Sequence, residues 1–589
     1  MIMRDSRQPF RLLTTYLRPH LSQVALLGFL LLVQVGLELV GPQVIARFID
    51  QTLAGAPIDE LWVLALGFIG IAMVIQVLAL GITYIGQNLA WTATNTLRED
   101  LSRHCLSLDM GFHKLRTPGE LIERVDVDVT ALSNFFSQFA LQLFVNLLLT
   151  IGVLVLLAYE DWRISLALAG FFVITAVTLI VLTRRSVALH TLSSQRSAEF
   201  YGFLGEQVEG TEDVRGNGAT SYVMRRFDTL LEASFRVFRP ASFSGYHLYA
   251  SSVFLYACGL AAALGIGGWL WSLGEISIGT VYLIVNYTEL LRRPLDQLRT
   301  QLSDLQKASA SVIRIEELLS IRPTIISGEQ TLPTGPLAVT LNAVRFRYQD
   351  DMGNSEPATN DQPVLNEISL DLAAGRVLGL LGRTGSGKTT LARLLLRLYD
   401  PQDGSVQLGN VDLRHATLDS LRQRVGMVTQ DVQLFHASLR DNLTLFNPQI
   451  SDQAVHAALN ELGLETWLRG LPNGLDTQLS NNGLSAGEAQ LLALARIFLA
   501  NPGLIVLDEA SARLDPATER LMERAIDRLL TNRTAVIIAH RLGTVQRADD
   551  ILILDQGAIV EHGARTTLAQ TPDSHFARLL RTGLEEVLA

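Results

Sequence analysis

Six apolar stretches crowd the first half of the chain, at 21–48, 61–91, 135–159, 164–183, 248–271 and 278–291. The hydrocarbon core of a bilayer takes about 20 helical residues to cross. Backbone inside it must satisfy its own hydrogen bonds, which for stretches of this length means α-helices. The last stretch is the weakest by hydropathy and is expected to run on past Arg292. Ahead of the first, residues 8–20 read as an amphipathic helix at the interface, with Arg11 and Arg18 toward headgroups. The apolar run after it has no small-residue cleavage site, so it reads as a mature span and not a removed signal.

Loop charge orients the spans. The connections 50–60, 159–162 and 272–277 contain no Lys or Arg, whereas 92–134 and 184–247 carry many, among them Arg98, Lys114, Arg124, Arg184, Arg215 and Arg239. By the positive-inside rule the long connections and both termini are expected in the cytoplasm. These connections keep helical periodicity, so the spans are expected to continue outward as helices. Glycine-marked breaks at Thr117-Pro118-Gly119-Glu120-Leu121 and at 209–216 would turn each pair around.

A chain of 589 residues calls for several domains. Mean hydropathy is +0.27, with the apolar excess in the first half and ordinary globular composition in the second. The net charge of −10, with no basic block, argues against nucleic acid as a partner. Cys105 and Cys258 each lie in a helical pattern, which gives no sign of a disulfide framework. The organisation read from this is a transmembrane domain at 1–320, a Pro/Gly-marked linker at 321–336 and a soluble domain at 337–589. Within the last, the acidic polar stretch 350–362 reads as a mobile hairpin tip.

The soluble domain is built around Gly382-Arg383-Thr384-Gly385-Ser386-Gly387-Lys388-Thr389-Thr390. A buried-strand pattern (377–381) precedes it and a helical one (391–398) follows, the context a phosphate-binding loop requires. Glycines let successive N–H groups converge on one anion. The helix N-terminus adds partial positive charge, Lys388 supplies a full one, and the Thr389 hydroxyl is placed for Mg²⁺. Three more strand patterns end in polar groups: 425–430 at Gln430, 504–509 at Asp508 and Glu509, and 535–540 at His540. Ligands of open α/β sheets bind at the carboxyl ends of strands, so these groups are expected to converge. Asp508 would share Mg²⁺ with Thr389, Glu509 would polarise the attacking water, Gln430 would contact that water or the metal, and His540 would bond the γ-phosphate.

In this order the pieces resemble the ATP-binding-cassette superfamily, and the whole chain is similar to an exporter-type half-transporter. Gly382–Thr390 resembles the Walker A motif, 504–508 Walker B with Glu509 as catalytic base, Gln430 the Q-loop, 484–488 the signature, Asp515 the end of the D-loop and His540 the switch histidine. Tyr348 matches the aromatic that stacks on adenine, and 117–128 and 209–218 resemble the two coupling-helix regions. The resemblance implies a multidomain membrane protein: a bundle of six transmembrane helices followed by an α/β P-loop ATPase domain. It also implies ATP and Mg²⁺ as cofactors, ATPase activity coupled to transport, and a multi-pass protein of a bacterial inner membrane with its cassette in the cytoplasm. Two cassettes would sandwich two ATPs head to tail, Ser485 and Gly487 of one chain facing the Walker A loop of the other.

The signature departs from the family's Leu-Ser-Gly-Gly-Gln and reads Leu484-Ser485-Ala486-Gly487-Glu488. Ala486 adds a methyl, and Glu488 a carboxylate, beside a partner's phosphate. At about 4 Å and an effective dielectric of ~20, one like-charge pair costs about 4 kcal/mol before screening. The preceding segment 479–483 lacks the family's acidic residue, and the D-loop reads Ala512-Arg513-Leu514-Asp515. An intact catalytic half beside a poor signature favours an asymmetric heterodimer with a second half-transporter over a homodimer that tolerates the variant. Within the spans, Gln34, Glu38, Gln76, Gln138, Gln142, Asn146, Asn286 and Glu289 are polar. They would hydrogen-bond between helices, or, for Glu38 and Glu289, meet a cationic or amphipathic substrate. An exporter of lipids, drugs or peptides is the leading reading. An importer on the same fold and a membrane-bound regulator are the alternatives.

Overall fold

The computed structural model describes residues 15–135, 141–348, 363–430, 432–479, 484–508, 516–539 and 542–582. The chain divides into two compact units. One comprises Met1–Leu106 and Pro118–Ile321, the other Ser107–Thr117 with Arg322–Ala589.

The first unit is helical. Its long members are α1 (Leu21–Leu53), α2 (Ile58–Ser107), α4 (Leu141–Glu160), α5 (Trp162–Glu209), α7 (Thr220–Ser272) and α8 (Ile278–Ser320). Short helix α6 (Thr211–Gly216) follows α5, and α3 (Met110–Leu115), which follows α2 along the chain, belongs to the second unit. Five of the long helices are apolar enough over enough length to cross a membrane. The sixth, α8, continues past Arg292 as one helix through Pro294. A helix of 53 residues such as α7 runs about 80 Å at 1.5 Å per residue, far more than the roughly 30 Å of hydrocarbon. The spans therefore do extend well outside the lipid as helices.

The second expected break falls at Gly210, which caps α5. The first is present, with Arg116 extended and Thr117 outside any helix, and a further break at 108–109, where α2 has stopped at Ser107, was not expected. Extended backbone at Asp109 and Arg116 brackets α3, and Pro118 opens the helix after the second of these breaks. Proline's fixed φ and missing N–H suit the first position of a helix.

Polar side chains tie the bundle together. Asn146 donates to Gln297 across α4 and α8 at 2.6 Å, Gln34 to Glu38 along α1 at 2.9 Å, and Gln43 to the Tyr287 hydroxyl at 3.2 Å. Tyr287 is fully buried and donates to the Leu39 carbonyl at 2.8 Å. Where α8 begins, Asp50 of α1 accepts the Gly279 N–H at 2.7 Å and the Ser277 hydroxyl at 2.6 Å. Gln138 lies outside the described residues.

Asp128 is 1% exposed and accepts from Ser311 at 2.9 Å and from the Arg314 Nε at 2.8 Å, both on α8. Removing one member of such a pair strands the other. Because the Arg314 side chain is 42% exposed, water will solvate it in part. Asp128→Ala is therefore expected to cost about 2 kcal/mol, below the 3–5 kcal/mol of a fully buried pair, measured as a lower apparent melting temperature of the detergent-solubilised protein.

The second unit carries two sheets. β1 (Val339–Phe346), β2 (Leu365–Leu372), β4 (Asp403–Leu408) and β5 (Val411–Asp412) form an antiparallel sheet in the order β2-β1-β4-β5. The larger sheet runs β10-β9-β3-β8-β7-β6, from β3 (Val377–Leu381), β6 (Val425–Val428), β7 (Leu504–Asp508), β8 (Thr534–Ile538), β9 (Asp550–Asp555) and β10 (Ala558–Ala564). Alternate residues of its central strands feed two cores: Leu378, Leu380, Leu504 and Val506 one, Leu381, Ile505, Leu507 and Ile537 the other. Burial on both faces is why these strands read as unbroken apolar runs.

Candidate functional site

Parallel register brings the strand ends to one edge. Leu380 of β3 pairs with Ile538 of β8, Ile538 with Asp508 of β7, and Val428 of β6 with Leu507. The loop after β3, the residue after β8, Asp508 and Gln430 therefore all leave the sheet at its carboxyl edge. Gln430 is exposed there. Glu509, Asp515 and His540, together with the 350–362 insert, lie outside the described residues.

The loop itself is shaped by glycines. Gly382, Gly385 and Gly387 have φ of 148°, 83° and 103°, a region costly to any residue with a Cβ. A Cβ on Gly382 would stand 2.2 Å from the Leu554 carbonyl oxygen, and one on Gly387 2.6 Å from Leu365 Cδ2. Gly387 caps helix α9 (Lys388–Leu395). Lys388 is 6% exposed and curls back to donate to the Gly382 carbonyl at 2.6 Å and the Arg383 carbonyl at 3.0 Å. Arg383, Thr384 and Gly385 form the exposed crest of the loop.

Ser386, 3% exposed, points a hydroxyl into this cradle with no hydrogen-bond partner among the described residues. A buried hydroxyl without a partner costs about 1–3 kcal/mol, and a phosphate oxygen would satisfy it. The Thr389 hydroxyl faces the Asp508 carboxylate at 3.5 Å, and Asp508 is 8% exposed. One hydroxyl and one carboxylate are hard oxygen donors of the kind Mg²⁺ takes alongside phosphate oxygens. The residues present therefore fit both a polyphosphate and its metal.

Tyr348 is locked in place. Its hydroxyl is 3.1 Å from Thr390 and accepts from Arg393 at 3.1 Å, both on α9. Phe346 and Tyr399 pack edge-on at 4.9 and 5.2 Å. Lys114 of α3 places its ammonium 4.7 Å from the ring centroid, a cation–π contact. Neither the Lys114 contact nor the clasp from α9 was legible in the sequence, since the partners are far apart along the chain.

Ser485 and Gly487 stand elsewhere, at the start of helix α10 (Ala486–Ala500). Ser485 caps that helix in a reciprocal box with Glu488. The Glu488 carboxylate accepts the Ser485 N–H and the Ser485 hydroxyl, each at 2.8 Å, and the Trp467 indole N–H at 2.8 Å. Burial alone would raise this carboxyl; the three donors more than reverse that and hold it below the usual carboxylate range. The hydrogen bonds of Ser485 thus run to Glu488 and not to the phosphate loop of its own chain. Glu488 acts through its neighbour: it claims the serine's proton.

Comparison with known proteins agrees with this arrangement. Residues 24–295 match the family model for the ABC transporter transmembrane region, and residues 365–512 that for the ABC transporter. The chain is 30% identical over 519 residues to the ATP-dependent lipid A-core flippase of Chromohalobacter salexigens, spanning 86% of each protein. It is 30% identical over 474 residues to the fatty acid ABC transporter ATP-binding/permease protein of Mycobacterium bovis, spanning 80% of this chain and 74% of that one. Among solved structures, a bacterial Atm1-family ABC exporter with ATP bound superposes with a TM-score of 0.80 at 24% identity, covering 96% of this chain and 98% of that chain.

Proposed function

Since this chain belongs to the ATP-binding-cassette transporters, as an exporter-type half-transporter, we propose that it is the hydrolysing subunit of an asymmetric pair that exports an amphipathic small molecule. Exporters of this family work as dimers in a bilayer and couple ATP hydrolysis to transport. Within that frame the chain offers two unequal halves. Its phosphate loop has the glycines, Lys388, Ser386 and the Thr389–Asp508 pair in place, and Glu509 and His540 follow in sequence. Bound Mg²⁺ would offset the charge of the phosphates. Lys388 would bind the terminal phosphates, Tyr348 would stack on the base, Gln430 and His540 would flank the reacting phosphate, and Glu509 would take the proton of the attacking water.

The observation that carries the asymmetry is the Ser485–Glu488 box. A signature serine that donates its proton to its own chain presents a lone pair, with a carboxylate behind it, toward a partner's nucleotide. Ala486 adds a methyl beside it. This side chain constellation supports a partner site that turns over slowly. The site built on Lys388 and Glu509 would be completed by the signature of a different polypeptide. Similarity to a lipid flippase and a fatty acid transporter supports an amphipathic cargo.

The test compares steady-state ATPase of the purified chain with that of the chain plus a second half-transporter carrying an intact signature. The pair is expected to hydrolyse at least tenfold faster, and Glu509→Gln in this chain to abolish the gain. Brisk turnover by the chain alone, lost on Glu509→Gln, retires the asymmetric pair in favour of a homodimer.

A further inference from the structure

Three clefts succeed one another along the helices α5, α7 and α8. The middle one is an open cleft of about 370 Å³, solvent at its mouth included, lined by Phe171, Thr175, Tyr256, Arg292 and Asp296 among others. It shares Phe171 with a neighbour of about 280 Å³ walled only by Ile, Leu, Ala, Gly and Phe, including Ala263 and Ile266. On its other side it shares Ser252, Leu295 and Asp296 with a third cleft of about 330 Å³. The series therefore changes from wholly apolar to polar over a single line of residues.

The polar part is charged and built. Arg292 lies between two carboxylates, its Nε donating to Asp296 at 3.2 Å and its terminal nitrogen to Glu289 at 3.4 Å. Its guanidinium rests 4.8 Å from the Tyr256 ring centroid, and the Tyr256 hydroxyl donates to Glu289. Ser252 donates to Asp296 at 2.9 Å. Two carboxylates against one guanidinium leave one negative charge over. At 1.5 Å per residue, Glu289 and Asp296 lie about 16 and 27 Å along α8 from its start at Ile278, within the depth of a bilayer core. Thr175, 2% exposed and on the wall of the same cleft, has a hydroxyl with no hydrogen-bond partner among the described residues. A buried orphan hydroxyl beside an uncompensated charge is what a ligand's head would relieve.

The geometry points to a binding site for a single-headed cationic amphiphile, an alkylammonium-type molecule. Its ammonium would sit at Asp296, which lines the cleft with Thr175 while Arg292 and Glu289 pair beside it, and its hydrocarbon chain would pass Phe171 into the apolar cleft. This rests on the transporter reading and names the cargo class of that membrane domain. Phe171 divides head from tail: a Cβ on Gly259 would stand 2.4 Å from the tip of the Phe171 ring, so the absence of a side chain there is what lets the ring reach α7. Lipophilic anions are disfavoured by the surplus carboxylate, with Arg292 already engaged on both sides.

The probe is a dodecylammonium carrying a diazirine near the end of its chain, photolysed with the full-length protein in nanodiscs of neutral lipid and mapped by mass spectrometry. Labelling is expected in peptides from 162–209 and 220–272, competed by dodecylammonium at tenfold lower concentration than by dodecyl sulfate. Glu289→Gln with Asp296→Asn should reduce it at least tenfold. Gly259→Ala, which pushes Phe171 toward the tail path, should weaken competition by dodecylammonium and leave that by butylammonium unchanged, an arm that does not touch the carboxylates. Equal competition by the sulfate, or labelling indifferent to both sets of substitutions, overturns the site. ATP-driven uptake into inverted vesicles is read separately: site labelling without such uptake removes the transport reading and leaves the binding site standing.

Discussion

Lys388→Met is expected to lower the ATPase activity of the assembled transporter about 100- to 1,000-fold, the range seen when one charge-stabilising donor is taken from a preorganised site. The lysine is the buried full positive charge of the phosphate loop, whereas Arg383 is exposed on its crest. The residue is buried and its ammonium is held by the Gly382 and Arg383 carbonyls, so it is positioned before it is used. Methionine matches its length without charge or donor. Two loop carbonyls lose their partner as well, which makes a small fall in thermal stability part of the expectation. Lys388→Arg separates the effects: it keeps the charge but replaces a compact ammonium with a planar fork, and is expected to retain the melting temperature better than the turnover. Phosphate release by the pair, measured beside binding of a fluorescent ATP analogue, checks both. Activity within fivefold of the unsubstituted protein would show that Lys388 does not face the transferred phosphate.

Gly279→Ala is expected to cost the membrane unit about 3 kcal/mol: 1–3 kcal/mol for overpacking with the loss of a capping hydrogen bond, typically about 1 kcal/mol, added. A Cβ there would stand 2.3 Å from the Ala46 carbonyl oxygen and 2.5 Å from an Asp50 carboxylate oxygen. The first is backbone and cannot step aside, so α1 and α8 must separate. Separation breaks the bond from the Gly279 N–H to Asp50. A drop in apparent melting temperature on Gly279→Ala, only partly reproduced by Asp50→Asn, distinguishes steric wedging from the lost cap. An unchanged melting temperature would mean that the two helices are not in contact at this point.

The strand–loop–helix at the phosphate site and the strand ends around it were legible because each central strand is buried on both faces. Runs such as 377–381 and 504–508 stay apolar until the sheet ends, and the first polar residue after them marks the edge. The long helices were legible for the complementary reason, that lipid leaves them no other backbone. Glu488 was legible only in part. Its spacing from Ser485 is that of a capping box, but its bond from Trp467 could not be read, because that residue lies 21 positions upstream. The break at 108–109 was not legible because neither of its residues is Gly or Pro, whereas that at 116–117 is marked by the Pro118 that starts the next helix. The line of clefts among α5, α7 and α8 left no mark on the sequence, for it is made by residues of three separate helices that meet only in the folded bundle.

The bond between Asp50 and the start of α8 joins the first long helix to the last. During synthesis those two groups are separated by the whole of the intervening chain, more than two hundred residues. At roughly 5–20 residues per second, the ribosome needs tens of seconds to bring the second after the first. Helix α1 must therefore wait in the lipid with its carboxylate unclaimed until Ser277 emerges. A nascent polypeptide stalled short of that point would expose this helix to the cell's quality-control proteases, and truncation there should be more damaging than any cut within the later ATPase half.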